Sequence, residues 1–191
     1  MSTALAPTNK LLARKKIFSF LGSEFEIFDQ NGSLLYFVKQ KAFKLKEAIT
    51  VFDQSKTNPV LFIQARRWRD FSGTYDVSLP DGTKIGALKR EGLRSMFRDS
   101  WKILDTNDNI IGSIDEDSML MAMVRRFLSN LVPQHFDIVL HGELVAEFDQ
   151  HFNPFVAKFD LDFSKNVNNQ LQHEMGIAIA ILLLAIEGRQ E

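Results

Sequence analysis

Basic side chains are concentrated in two short stretches of the chain, and their types suit the recognition of phosphate. Arg66-Arg67-Trp68-Arg69 follows one predicted hairpin, and Lys89-Arg90 with Arg94 follows the next. Arginine fits phosphate because its planar guanidinium group donates two parallel hydrogen bonds. The residues that we predict to bind an anionic ligand are Arg66, Arg67, Arg69, Lys89, Arg90 and Arg94. The alternative is a solvated rim in which acidic neighbours pair with these charges.

The residue types that most often catalyse reactions or hold metals show no recognised spacing. The chain has no cysteine, which excludes disulfides, thiolate catalysis and Cys-ligated metals. His135 and His141 flank one hairpin arm, but the sequence supplies no third ligand and no HExxH spacing. Nucleophile elbows, Walker loops and dinucleotide-binding glycine motifs are absent as well. We therefore expect a protein that is not an enzyme and that carries no cofactor and no metal.

One segment partly matches a calcium-binding loop. Asp105, Asn107, Asn109 and Glu116 occupy positions 1, 3, 5 and 12 of an EF-hand loop. The position between Asn109 and the next ligand needs glycine for a sharp turn, and it holds Ile110 instead. The flanking residues are typical of strands, so we predict a hairpin turn here.

A unit of strand, turn and strand recurs along the body of the chain with a period of about 25 residues. Turn residues separate the arms of five predicted hairpins, at Asn31-Gly32, Gln54–Asn58, Pro80-Asp81-Gly82, 105–109 and His141-Gly142. We expect Asn31-Gly32 to form a type I′ turn, which needs positive φ at both residues. With one further strand near Lys16–Phe20 and another near Pro154–Phe163, the pattern predicts about twelve strands.

The last part of the chain contains an uncharged run, MGIAIAILLLAI, from Met175 to Ile186. A helix that is apolar on every side needs apolar surroundings all round. Twelve residues rise only about 18 Å, whereas a bilayer core is about 30 Å thick. We therefore predict a buried helix with the strands closed around it as an antiparallel barrel, an arrangement that also removes exposed sheet edges.

A second helix is predicted between the fourth and fifth hairpins, near residues 118–131. Ser118 can cap it, Leu120, Val124 and Phe127 form its apolar face, and Pro133 follows its end. We expect it to cover one mouth of the barrel. An interfacial helix that leans on a membrane is the alternative.

The chain has 191 residues and no linker-like stretch, so we predict one domain over residues 16–191 behind a flexible tail at residues 1–15. Residues 1–100 carry 17 Lys and Arg against 10 Asp and Glu, and residues 101–191 carry 6 against 14. This asymmetry either indicates an anionic partner for the first half or neutralises itself within one closed sheet. The N-terminus lacks the apolar core of a signal peptide, so we expect a cytoplasmic protein.

Several segments resemble known proteins. IFDQNGSLLYFVKQ is similar to the opening hairpin of LURP-one-related proteins, and DFSGTYDV with IGALKREGLRSMFRDSWKILD is similar to their middle. FDLDFS followed by MGIAIAILLLAIE resembles the end of phospholipid scramblases. The chain is thus similar to the tubby C-terminal-like superfamily over roughly residues 16–188. The resemblance implies the barrel around its helix, a cytoplasmic or membrane-peripheral location, and for some members a link to anionic lipids.

Scramblases carry an acidic segment, proposed to bind calcium, before their last helix. Aligned without gaps it falls on residues 149–162, where Asp149, Asp160 and Asp162 match. His151 replaces an expected aspartate, and calcium prefers oxygen ligands, so we do not expect tight calcium binding.

Taken together, the residues and the resemblance predict a non-catalytic binding module for anionic phospholipid or a phosphorylated ligand at the membrane periphery. The alternatives are phospholipid scramblase activity itself, or a module that binds protein or nucleic acid. We expect no nucleic acid, because the net charge of the chain is −1 and its aromatic residues are mainly phenylalanine.

Overall fold

The computed structural model describes residues 9–18, 22–40, 49–66, 73–91, 100–116, 133–151 and 156–186. Within these ranges the chain forms twelve strands and one helix. The strands are β1 (Lys10–Phe18), β2 (Gly22–Phe28), β3 (Leu34–Gln40), β4 (Ile49–Asp53), β5 (Pro59–Ala65), β6 (Thr74–Ser78), β7 (Lys84–Arg90), β8 (Ser100–Leu104), β9 (Ile110–Glu116), β10 (His135–Leu140), β11 (Glu143–Gln150) and β12 (Lys158–Asp162). Helix α1 spans His173–Ile186.

Every strand pairs with its neighbours in sequence, and β12 closes the sheet by pairing with β1. All of these pairings are antiparallel, so the twelve strands form a closed up-and-down barrel. Closure leaves these strands without the unpaired edges that a meander of this length would expose. The predicted fold class is therefore confirmed. The predicted helix near residues 118–131 lies outside the described residues.

The first four hairpins share one turn geometry. The fourth residue of each turn has a left-handed backbone, at Gly32, Lys56, Gly82 and Asp108, with φ of 80°, 63°, 87° and 67°. Each of these residues donates its N–H back across the turn, as Gly32 does to Asp29 O at 3.1 Å. A shift of register follows in each hairpin, as expected of a type I turn closed by a bulge. The predicted period of about 25 residues is confirmed, because these four left-handed positions recur at that spacing. The type I′ turn predicted at Asn31-Gly32 is wrong, because only Gly32 has positive φ.

The hairpin turns define the two ends of the barrel. We call the turn end the one that carries the turns at 29–33, 54–58, 79–83, 105–109 and 141–142. The far end is the one where β1, β3, β5, β7, β9 and β11 finish. Because strands alternate in direction, every odd-numbered strand leaves the barrel at the far end.

Strand β1 begins at Lys10, earlier than the predicted start at residue 16. Leu11, Ala13 and Lys15 are buried, whereas Leu12 and Arg14 between them are partly exposed, so residues 10–15 belong to the barrel wall rather than to a tail. The alternation is concealed in the sequence because Leu12 occupies an outer position and Lys15 a buried one.

Helix α1 lies inside the barrel. Its side chains from Met175 to Ala185 are buried, and it contacts β1 and β12 as well as β5 and β7. Strand β7 lies six places around the sheet from β1, so the helix has strand contacts on opposite sides. Close approach depends on Gly176, because a Cβ there would lie 2.5 Å from the Phe163 ring. No helix within the described ranges has the length and apolar character of a membrane span.

Candidate anion-binding surface

Three basic residues form a row across the outer face of the sheet. Arg66 donates its backbone N–H to Thr74 O at 3.0 Å, Thr74 lies opposite Lys89, and Lys89 lies opposite Lys102. The side chains of Lys89 and Lys102 point outward because Leu88 and Ile103, beside them on the strands, are buried in the core. We call Arg66, Lys89 and Lys102 the basic row.

Like charges face each other within the basic row. Lys89 and Lys102 are direct cross-strand partners, and such pairs repel each other. Lys102 reaches Glu91 only at 3.7 Å, and within the described part of the chain Lys89 has no ion-pair partner. The two ammonium groups therefore present a net positive charge to solvent.

Arg66, by contrast, is already occupied. Its guanidinium group donates two hydrogen bonds from Nε at 2.9 Å to the carboxylate of Asp76 and also binds the carboxylate of Asp108. Lys84 contacts both carboxylates, at 3.3 and 2.8 Å. Hydrogen bonds from Arg66 and Lys84 lower the pKa of Asp108 to about 2. Burial would raise the pKa of Asp76, but the hydrogen bond and charge of Arg66 keep it below its usual value.

Arg90 lies on the other face of the sheet from Lys89. It is the cross-strand partner of Trp101, which is buried in the core, and its guanidinium carbon lies 6.0 Å from the indole ring centroid. At that distance the cation lies at the limit of attraction by the ring face. The structure therefore separates Arg90 from Lys89, although the two are adjacent in sequence.

The remaining predicted ligands, Arg67, Arg69 and Arg94, lie outside the described residues. The segments that contain them join β5 to β6 and β7 to β8, whose connected ends both lie at the far end. Sequence analysis missed Lys102, because only the register of β7 against β8 places it beside Lys89.

Acidic residues dominate another part of the outer face. Direct cross-strand pairs join Asp115 to Asp137, Asp137 to Glu147, and Glu147 to Asp162, and a second row joins Asp149 to Asp160. We call these six residues, on β9 to β12, the acidic wall. Unlike charges meet at other cross-strand pairs, as Glu24 and Lys39 do on β2 and β3.

The residues aligned with the scramblase calcium segment lie in the acidic wall, and each has a partner. Asp160 pairs with His151 at 2.8 Å, Asp149 with His135 at 2.5 Å, and Asp162 with Lys10 at 3.1 Å. Phe159 and Leu161, which alternate with Asp160 and Asp162, are buried, so these two aspartates occupy the solvated face of β12, as expected from the alternation. The 105–109 segment is the hairpin turn predicted from its mismatch to an EF-hand loop, with Asp105 accepting the N–H groups of Asn107 and Asn109 at 2.8 Å.

His135 has acidic groups on both of its ring nitrogens. Nδ1 lies 2.5 Å from Asp149 and Nε2 lies 3.2 Å from Asp137. Burial alone would lower the pKa of His135, but the hydrogen bond and charge of Asp149, with the charge of Asp137, raise it. Glu147 completes a group of three, since one donor atom each from His135, Asp137 and Glu147 lies within 4.8 Å of the others.

The family model for LURP-one-related proteins matches residues 9–184, nearly the whole described barrel. The chain therefore belongs to the LURP-one-related family. No curated protein matches the chain with significant similarity.

Proposed function

We propose that this protein is a non-catalytic binding module that docks, at the membrane periphery, on anionic phospholipid or another phosphorylated ligand. The contact is made by the outer face of the sheet near the far end, where Lys89 and Lys102 lie. Family membership is compatible with this function but does not specify it, because one fold hosts many functions.

The observation that carries the proposal is the repulsive pair of the basic row. Lys89 and Lys102 lie directly opposite each other, and Lys89 lacks an acidic partner among the described residues. The other pair of basic residues that lie directly opposite each other in the described sheet, Arg14 and Lys158, differs because Arg14 forms an ion pair with Glu26. An anionic headgroup bound over the basic row would offset the repulsion between Lys89 and Lys102.

Arg66 is not a phosphate ligand on this surface, although the sequence predicts that role. Its guanidinium group already donates hydrogen bonds to Asp76 and Asp108, so it is not available for bidentate binding of a phosphate group. Because two carboxylates and Lys84 share this cluster, its net charge is close to zero. The test therefore uses the two lysines rather than Arg66.

The experiment measures sedimentation of the purified chain with vesicles. Neutral phosphatidylcholine vesicles are compared with vesicles that also contain phosphatidylserine or a phosphoinositide, at low and at physiological ionic strength. Soluble inositol phosphates as competitors distinguish a free phosphorylated ligand from a lipid surface. We expect binding to anionic vesicles that weakens as salt rises, because exposed charges are screened beyond about 8 Å at physiological ionic strength.

A matched pair of variants locates the contact. Lys89→Gln with Lys102→Gln should weaken binding by roughly thirtyfold, since each basic residue near an anionic surface contributes about 1 kcal/mol. Lys10→Gln with Lys56→Gln removes the same charge at the turn end and should leave binding nearly unchanged. No binding by the wild type, or equal losses in both variants, would contradict the proposal.

A further inference from the structure

Three side chains on the acidic wall present different donor atoms to one point. His135 offers an imidazole nitrogen, and Asp137 and Glu147 each offer a carboxylate oxygen, with all three atoms within 4.8 Å of one another. Zinc bonds such ligands at about 2.0–2.2 Å, which sets neighbouring ligand atoms about 3.4 Å apart in a tetrahedral site. Nε2 of His135 already lies 3.2 Å from Asp137. Small rotations of the side chains would therefore complete the spacing.

The second ring nitrogen of His135 has the partner that metal-binding histidines usually have. Its Nδ1 lies 2.5 Å from the carboxylate of Asp149. A carboxylate in that position receives the Nδ1–H, fixes the orientation of the ring and leaves Nε2 to bind a metal. Asp149 is therefore a positioning residue for this group rather than a ligand.

Strand register supplies an independent argument for a cation. Asp137 lies directly opposite Glu147, and the row continues with like charges at Asp115 and Asp162. Carboxylates that face each other directly destabilise a sheet. Lys165 reaches Oε2 of Glu147 at 2.8 Å, which neutralises one carboxylate and leaves Oε1 available to share.

We infer that His135, Asp137 and Glu147 form a surface site for a divalent transition metal, with Zn²⁺ as the ion that fits best. The imidazole favours zinc over calcium, which takes oxygen ligands, and zinc lies high in the order of affinities among divalent metals. The three side chains are partly exposed, at 32%, 36% and 27%, so water can fill the remaining coordination position.

The test titrates ZnCl₂ into the untagged full chain and follows binding by calorimetry. We expect one saturable site of micromolar or tighter affinity, which millimolar calcium does not displace. Glu147→Gln and His135→Gln should each weaken zinc at least about tenfold. Co²⁺ serves as a visible probe of the ligands: Asp149→Asn should weaken Co²⁺ about tenfold while leaving its absorption bands in place, because the ligand set is unchanged.

His151→Gln is the matched control. His151 also pairs with a carboxylate on this wall, Asp160 at 2.8 Å, but it is not part of the group of three donors. Its replacement should change zinc affinity less than twofold. The inference is overturned if the wild type shows no saturable zinc binding, if Glu147→Gln and His135→Gln bind as the wild type does, or if His151→Gln loses as much affinity as they do. Vesicle binding by the basic row is a separate measurement and does not depend on this result.

Discussion

His173 begins helix α1 and lies mostly buried between two aromatic rings. Its ring centroid is 5.8 Å from that of Tyr36 and 6.1 Å from that of Phe163, and its Nε2 lies 3.1 Å from the Tyr36 hydroxyl. Burial lowers the pKa of His173 below its ordinary value, with the charge of Glu174 opposing this in part. Burial also raises the pKa of Tyr36 to about 12, so its hydroxyl stays protonated and can donate to the neutral imidazole.

The lowered pKa of His173 predicts a loss of stability in mild acid. In the unfolded chain His173 binds a proton near its ordinary pKa of 6.5, whereas in the folded chain it binds a proton only at a lower pH. The stabilisation is therefore complete above that pH and falls as the pH decreases through it towards the folded-state pKa. We expect His173→Gln, which can still accept from Tyr36, to lack this dependence. The stability advantage of wild type over variant, from urea unfolding, should be larger at alkaline than at acidic pH.

His135 acts with the opposite sign, so the comparison needs both proteins at each pH. Because its pKa is raised, the stabilisation from His135 is present in acid and is lost as the pH rises through that pKa. This contribution is the same in wild type and in His173→Gln and cancels in their difference. An unchanged difference across the range from acidic to alkaline pH would show that burial does not control the protonation of His173.

Single residues show why the site was only partly predictable. The sequence marks Arg66 as a phosphate ligand, but its carboxylate partner Asp108 lies 42 positions away and reaches it only through the barrel. Glu147 and Asp137 likewise meet through the β10–β11 register, which includes a shift at Ile138 and Val139. Residue types indicate what a side chain can bind, whereas register decides which partners reach it.

At the scale of elements, the prediction that depends most on the fold concerns helix α1. Ile179 and Leu183 are 0% and 1% exposed on the barrel axis. Ile179→Asp or Leu183→Asp would bury a charge without a partner, at a cost of several kcal/mol that approaches the whole stability of such a domain. We therefore expect neither variant to fold, as measured by far-UV circular dichroism and by the soluble fraction after expression.

Val167 provides the control for this prediction. It precedes the same helix, is equally apolar, and is 82% exposed. Val167→Asp should shift the free energy of unfolding by no more than about 0.5 kcal/mol, as most surface substitutions do. A folded Ile179→Asp protein with an intact helix signal would mean that the centre of the barrel admits water.

Element types could be predicted well because their patterns are local. Turn residues recurring about every 25 positions indicated the hairpins, and an uncharged run too short for a bilayer indicated the internal helix. Backbone conformations and the exact ends of the elements were harder to predict. Lys56 and Asp108 take left-handed conformations that no glycine marks, and Lys10 begins a strand whose basic residues hide its alternation. Asn166 holds the loop before α1 by bonding both backbone groups of Leu171, a pairing that no turn motif in the sequence marks.

At the scale of the whole molecule, the outer face has two neighbouring regions of opposite charge. The basic row lies on β7 and β8 and at the end of β5, and the acidic wall begins on β9. The charge asymmetry along the sequence is thus arranged side by side around one barrel. An anionic membrane attracts the first region and repels the second, so the two together favour one orientation of the barrel.

This orientation can be measured directly, because the chain has no cysteine of its own and a single introduced thiol carries a label cleanly. Gln64→Cys lies on the exposed face of β5 near the basic row, and Val167→Cys lies between β12 and α1 at the turn end. We expect headgroup-attached quenchers in anionic vesicles to reduce the fluorescence of a label at position 64 and to leave one at 167 nearly unaffected. Raising the salt concentration should abolish the difference, because attraction beyond about 8 Å is then screened. Equal quenching at both positions would mean that binding, if present, has no preferred orientation, and the basic row would then not be the surface that meets the lipid.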